Sequence, residues 1–104
     1  MPLFDRLDVW RKAHALVLDI YRLSAGFPSE ERFGVTSQVR RAAASVPANI
    51  AEGQRRRTAA DFAHFIDIAL GSLAETQYFT VLARDLGYLT DEAYNQLGAK
   101  ATEV

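Results

Sequence analysis

The spacing of apolar residues constrains this chain more than any other feature. From Asp8 to Ser24, Val9, Ala13, Leu16, Ile20 and Leu23 follow one another at steps of four, three, four and three. That spacing holds them on one helical face and excludes the two-residue alternation of a strand. Val35, Val39, Ala42, Val46 and Ile50 repeat the pattern in a second segment ending near Glu52-Gly53, and Phe62, Ile66, Ala69, Leu73, Thr76, Thr80 and Ala83 carry it through a third. Tyr94 and Leu97 mark a fourth, shorter and less apolar one.

The breaks between these segments are equally specific. Ala25-Gly26-Phe27-Pro28 stops the first helix, because glycine accepts a left-handed conformation and proline cannot continue a helix. Ser29-Glu30-Glu31 and Gly34 leave two starting points open for the second. Thr58 with Asp61 has capping-box spacing, Gly87 closes the third helix, and Thr90-Asp91-Glu92 opens the fourth. Pro47 lies inside the second stripe; the phase holds across it, so we expect one helix kinked at Pro47. Short connections between successive helices predict an all-α, antiparallel up-down-up-down four-helix bundle formed as a single domain over residues 1–104.

The chain has no cysteine, which removes disulfides and thiolate metal sites. Asp5 and Arg6 interrupt the opening where a leader would need an apolar stretch, and no run is long enough for a membrane span, so a cytoplasmic protein without a membrane partner is expected. Asp61, His64 and Asp67 share one side of a helix, but the paired Glu-x-x-His motifs of di-iron bundles are missing and no metal or cofactor is expected. Gly71-Ser72 has no strand before it and is not a nucleophile elbow. No nucleophile, base and oxyanion site assembles, and a protein that is not an enzyme is expected.

Two helices are apolar on a second side. Trp10, His14, Val17 and Tyr21 form a stripe beside the first, and Phe65, Ile68, Phe79, Leu82 and Leu86 widen the third helix, while Ala44 and Ala48 leave the outer side of the second smooth enough for close approach. Trp10, His14, Tyr21, Ala44, Ala48, Phe65 and Phe79 are therefore the expected contacts between copies.

Charge is unevenly placed. Residues 32–57 hold six arginines against one acid, whereas residues 61–104 hold two bases against seven acids. Arg40, Arg41, Arg55 and Arg56 fall opposite the Val39-Val46-Ile50 stripe if the helix persists past Gly53, with Arg57 in the loop, so these five are the candidate contacts for the phosphates of structured RNA or DNA. No aromatic residues interleave them, and base stacking is not suggested. Glu75, among apolar neighbours, calls for a cation if buried; Arg40 or Arg41 is its expected partner. In the competing reading the arginines form structural ion pairs and the bundle is a protein–protein adaptor.

Phe4-Asp5-Arg6-Leu7-Asp8-Val9-Trp10, Phe33-Gly34-Val35-Thr36-Ser37-Gln38-Val39-Arg40-Arg41-Ala42-Ala43, Ser45-Val46-Pro47-Ala48-Asn49-Ile50-Ala51-Glu52-Gly53, Ala69-Leu70-Gly71-Ser72-Leu73-Ala74-Glu75 and Asp85-Leu86-Gly87-Tyr88-Leu89 together resemble the four-helix-bundle proteins related to 23S rRNA intervening-sequence proteins. The resemblance spans nearly the whole chain. It implies an up-down bundle assembling as a ring, typically a homopentamer, with an architecture similar to the nucleic-acid-associated accessory protein of diversity-generating retroelements. Arg40, Arg41, Asn49, Glu52 and Glu75 match family positions.

Overall fold

The computed structural model describes residues 3–104; Met1 and Pro2, at the start of the segment read above as no leader, lie outside the described residues. A 3-10 turn (Leu3–Arg6) precedes α1 (Asp8–Ser24); a second (Ser29–Glu31) precedes α2 (Val35–Gly53), and α3 (Ala59–Asp85) and α4 (Asp91–Glu103) follow. Among the described residues there is no strand. Helix α1 packs on α2, α2 on α3, α3 on α4, and α4 back on α1, the neighbour relations of an up-down four-helix bundle. At 1.5 Å per residue the 27-residue α3 is roughly 40 Å long, and it spans most of the 44 Å long dimension.

The stripe residues build the core. All five of α2 (Val35, Val39, Ala42, Val46, Ile50) are buried, as are Ala13, Leu16 and Ile20 of α1 and Ala69, Leu73, Thr76, Thr80 and Ala83 of α3. The two threonines satisfy their hydroxyls within α3, Thr76 on the Ser72 carbonyl at 2.8 Å and Thr80 on that of Gln77 at 2.8 Å. Leu97 and Ala101 close the core from α4, and a Lys100–Asp19 ion pair joins α4 to α1 at the surface. Helix α2 runs unbroken through the buried Pro47. No helix is long and apolar enough to cross a membrane among the described residues.

The caps settle the open boundaries. Thr58 accepts from the Asp61 N–H at 3.1 Å and Thr90 from the Ala93 N–H at 3.0 Å, each satisfying a donor that the helix leaves unpaired. Gly87 is left-handed, with φ of 82°, and the Tyr88 N–H reaches back to the Ala83 carbonyl at 2.8 Å. Gly26 differs from expectation: α1 ends at Ser24 without a left-handed residue, and Pro28 supplies the stop. Of the two starting points for the second helix, the later one is used. Ser29–Glu31 makes only a 3-10 turn, and the Glu31 carboxylate accepts from Val35 N–H at 3.3 Å, capping α2 from outside. A Cβ on Gly34 would run into that carboxylate, which ties this glycine to the cap.

Glu31 also joins the two connections at this end. Its other oxygen accepts from the Tyr88 hydroxyl at 2.7 Å, and the Tyr88 ring lies against Phe27 with centroids 5.5 Å apart. The hydrogen bond to Glu31, reinforced by burial, holds the Tyr88 phenol above its ordinary pKa.

Candidate nucleic-acid interface

The five candidate arginines do not form one cluster. Helix α2 ends at Gly53, so Arg55 and Arg56 leave the helix face on which periodicity had placed them and join Arg57 in the α2–α3 turn. A Cβ at Gly53 would lie 3.2 Å from Cβ of Phe65 and 3.3 Å from a ring carbon of Phe62; the first turn of α3 crosses close over this position. Arg41 and Arg55 are fourteen residues apart, which at 1.5 Å per residue is roughly 20 Å of separation along the α2 axis.

Their environments differ as much as their positions. Arg40 is half-buried and bound to α1: Nε donates to Ser24 Oγ at 2.7 Å, Nη2 donates to the Tyr21 carbonyl at 3.2 Å, and the guanidinium lies 4.6 Å from the Tyr21 ring centroid. It thereby adds a donor to a carbonyl in the last turn of α1 that also accepts from the Ala25 N–H at 3.2 Å. Arg56 pairs with Glu52 and lies 4.6 Å from the Phe65 ring centroid. Arg41, Arg55 and Arg57 are exposed and enter no ion pair or hydrogen bond among the described residues.

The pairing expected of Glu75 is corrected by its surroundings. Glu75 is exposed rather than buried among its apolar neighbours, so it carries no desolvation cost that demands a cation, and Arg40 is already engaged by Ser24 and Tyr21.

The residues expected at an interface between copies separate into four places. Trp10, His14, Ala44 and Ala48 come together in an apolar groove between α1 and α2, completed by Phe4 and Pro47. His14 stacks on Trp10 with centroids 5.0 Å apart and planes 14° apart, and Phe4 packs against the same indole at 4.9 Å. Tyr21 lies further along α1 beneath Arg40. Phe65 lies in α3 beside Arg56 of the α2–α3 turn, and Phe79 is partly buried, packed against the core beside Ile20, Leu23 and Val39. Helix α3 leaves Phe62, Ile68, Leu70 and Tyr78 exposed, and Leu86 just past its end is exposed too.

A polar bridge between α2 and α3 escaped the periodicity. Ser45 and Ser72 hydroxyls meet at 2.8 Å, and the Asn49 amide donates to the Ser45 carbonyl at 2.8 Å and hydroxyl at 2.9 Å. Both serines stand where small residues allow the helices to approach, the one sequence signal that marks them. Among the described residues no three His, Cys, Asp or Glu side chains converge as a metal site would require.

The chain is similar to a solved structure from Bacteroides thetaiotaomicron VPI-5482, described as a protein of unknown function from the S23 ribosomal protein family. The two share 29% identity over 91% of this chain and 89% of the other, with a TM-score of 0.84. No curated protein matches. A family model described as 23S rRNA-intervening sequence protein matches residues 5–104. Because that match covers residues 5–104, nearly the whole chain, the chain belongs to the 23S rRNA-intervening sequence protein family.

Proposed function

We propose that this chain is a non-catalytic, cytoplasmic, single-domain bundle that assembles with copies of itself and binds structured RNA through exposed arginines. The observation that carries the nucleic-acid part is the α2–α3 turn. Arg55, Arg56 and Arg57 are consecutive and exposed there, and only Arg56 has an acidic partner. Guanidinium groups without a fixed partner can each displace a counterion from a phosphate, and a turn can adapt to the backbone it meets. Self-association is supported by the apolar groove of Trp10, His14, Ala44 and Ala48 and by the exposed Ile68, Leu70 and Tyr78 of α3.

Mobility shift of a structured RNA hairpin across a salt series tests the reading. Wild-type protein binds with a steep salt dependence; Arg55→Ala combined with Arg57→Ala weakens it at every salt concentration and lowers the slope by about two. No binding at low salt, or an unchanged affinity in the double variant, overturns it. Light scattering gives the mass, for which the family resemblance leads us to expect a homopentamer.

A second reading, that of a protein–protein adaptor, is favoured by Arg40, whose internal contacts are those of a structural tie. It predicts that Trp10→Ala changes oligomer mass while RNA affinity is absent throughout.

A further inference from the structure

The end of the bundle remote from the arginine turn carries a second cationic feature. The last turn of α1, the α1–α2 connection and the first turn of α2 enclose an open groove lined by Ser24, Pro28, Ser29, Arg32, Thr36 and Arg40. Neither Arg32 nor Arg40 enters an ion pair among the described residues. The two acids of the connection do not line the groove. Glu31 is committed to the α2 cap and to Tyr88, and Glu30 accepts from Ser29 Oγ at 3.4 Å.

Three further observations give the groove a chemistry. Arg40 is held by two hydrogen bonds, through Nε and Nη2, so its remaining nitrogen is presented without the entropy cost of ordering a loose side chain. Thr36 lines the groove, and its hydroxyl, which makes no side-chain hydrogen bond among the described residues, is reached by solvent there; Thr76, Thr80 and Thr102 all return theirs to a helix carbonyl. A hydroxyl in a groove shared with two guanidinium groups suits an oxyanion. Beside them Phe33 is 84% exposed, and the Arg32 guanidinium lies 4.8 Å from its ring centroid. An aromatic face next to a phosphate-sized cationic groove is the arrangement that takes an unstacked base together with its phosphate.

The geometry points to this groove as a site for single-stranded RNA: Arg32, Arg40 and Thr36 hold one backbone phosphate, and Phe33 stacks an adjacent base. It deepens the RNA-binding reading by assigning an unpaired nucleotide to this end, and it stands on residues different from those of the α2–α3 turn. The occupant is a strand rather than free phosphate, because the anion groove and the aromatic ring are separate features that a base and a backbone phosphate engage together.

Fluorescence anisotropy of a labelled oligouridine of four nucleotides, with inorganic phosphate and uridine monophosphate as competitors, tests it on the full chain. Arg32→Ala and Phe33→Leu are exposed substitutions that leave the Arg40 contacts and the core in place, and Thr36→Val keeps the buried shape while removing the hydroxyl. Each is expected to weaken oligouridine binding by roughly five- to a hundredfold with an unchanged unfolding midpoint. Phosphate and the mononucleotide are expected to compete only at concentrations far above those of unlabelled oligouridine. Absence of oligouridine binding at low salt, wild-type affinity in Arg32→Ala and Phe33→Leu, or competition by free phosphate as effective as by the oligonucleotide would each overturn the site. If Arg55→Ala with Arg57→Ala abolishes hairpin binding while Arg32→Ala leaves oligouridine binding intact, the groove proposal fails and the turn reading survives; the reverse pattern separates them in the other direction.

Discussion

The two ends of the bundle are packed differently. Around the α1–α2 and α3–α4 connections, Ile20, Leu23, Phe27, Val39, Phe79 and Leu89 close on a space of only about 10 Å³. Toward the α2–α3 turn, Val9, Val46, Ile50, Ile66, Leu73 and Val104 border a cavity of about 80 Å³. The difference traces to the connections themselves. Phe27, Tyr88 and Leu89 fold inward from the first pair, whereas the α2–α3 turn is Gln54-Arg55-Arg56-Arg57-Thr58 and has no apolar side chain to contribute. It also explains why one residue type does two jobs. Arg40, at the tight end, meets a buried serine and a helix-terminal carbonyl and becomes a tie; Arg55 and Arg57, at the loose end, meet no partner.

The comparison is most exposed to an apolar side-chain truncation at each end. Ile20→Ala, at a residue 2% exposed in the tight half, is expected to cost about 2–5 kcal/mol, and Val9→Ala, 38% exposed at the loose end, less than about 1 kcal/mol. Denaturant midpoints at constant m-value measure both. Equal losses would mean that the two halves share one packing quality.

Next in size is the arginine contrast. Arg40→Ala removes the donor to the Ser24 hydroxyl, one of the donors to the Tyr21 carbonyl and the contact with the Tyr21 ring, a loss of about 1–3 kcal/mol. Arg41→Ala, one residue on and exposed, is expected to stay within about 0.5 kcal/mol of wild type. Unfolding curves that do not separate these two variants would remove the claim that Arg40 is structural.

How legible this was in the sequence depends on what each residue answers to. The stripe of α2 was readable in full, because burial against two neighbours imposes a helical period that polar substitutions cannot mimic. Thr58, Thr90 and Gly87 were readable because their roles are local to one turn of backbone. The arginines were not. Their face was assigned on the assumption that α2 continued past Gly53, and the helix stops there, where the approach of Phe62 and Phe65 leaves no room for a side chain. Arg32 was passed over since it precedes α2 and belongs to no stripe. The Glu31–Tyr88 bond joins residues far apart in the chain, and nothing local to either one announces it.

That bond gives the tight end a pH signature. Tyr88 donates to Glu31 only while the phenol is protonated, and its pKa is raised in the folded protein. A raised folded-state value means that the contribution is fully present below the unfolded tyrosine value of about 10 and disappears as pH climbs through the folded one. Wild type should therefore exceed Tyr88→Phe in stability at neutral pH, with the gap closing above about pH 10. Thermal unfolding across pH 7–11 reads this directly; because Tyr88→Phe keeps the ring against Phe27, a gap that persists unchanged in strong alkali would show that the hydrogen bond to Glu31 does not carry the difference.

The smallest expected effect on stability is a gain, and it asks whether the loose end is a packing defect that the chain can fill. Ala69 is 4% exposed and borders the larger cavity. Ala69→Val adds two methyl groups toward empty space, a favourable burial that offsets the helix-propensity loss of a β-branched residue, for a net gain of about 0.5 kcal/mol. Ala83 is 1% exposed and borders the smaller space at the other end of α3. The same substitution there has nowhere to place its methyl groups and should cost about 1–3 kcal/mol through displaced neighbours. Opposite signs at two alanines of one helix would establish that the asymmetry resides in the packing. Two losses of similar size would mean that the cavity beside Ala69 is closed in solution, with the apolar walls of Val9, Ile66 and Val104 drawn together over it.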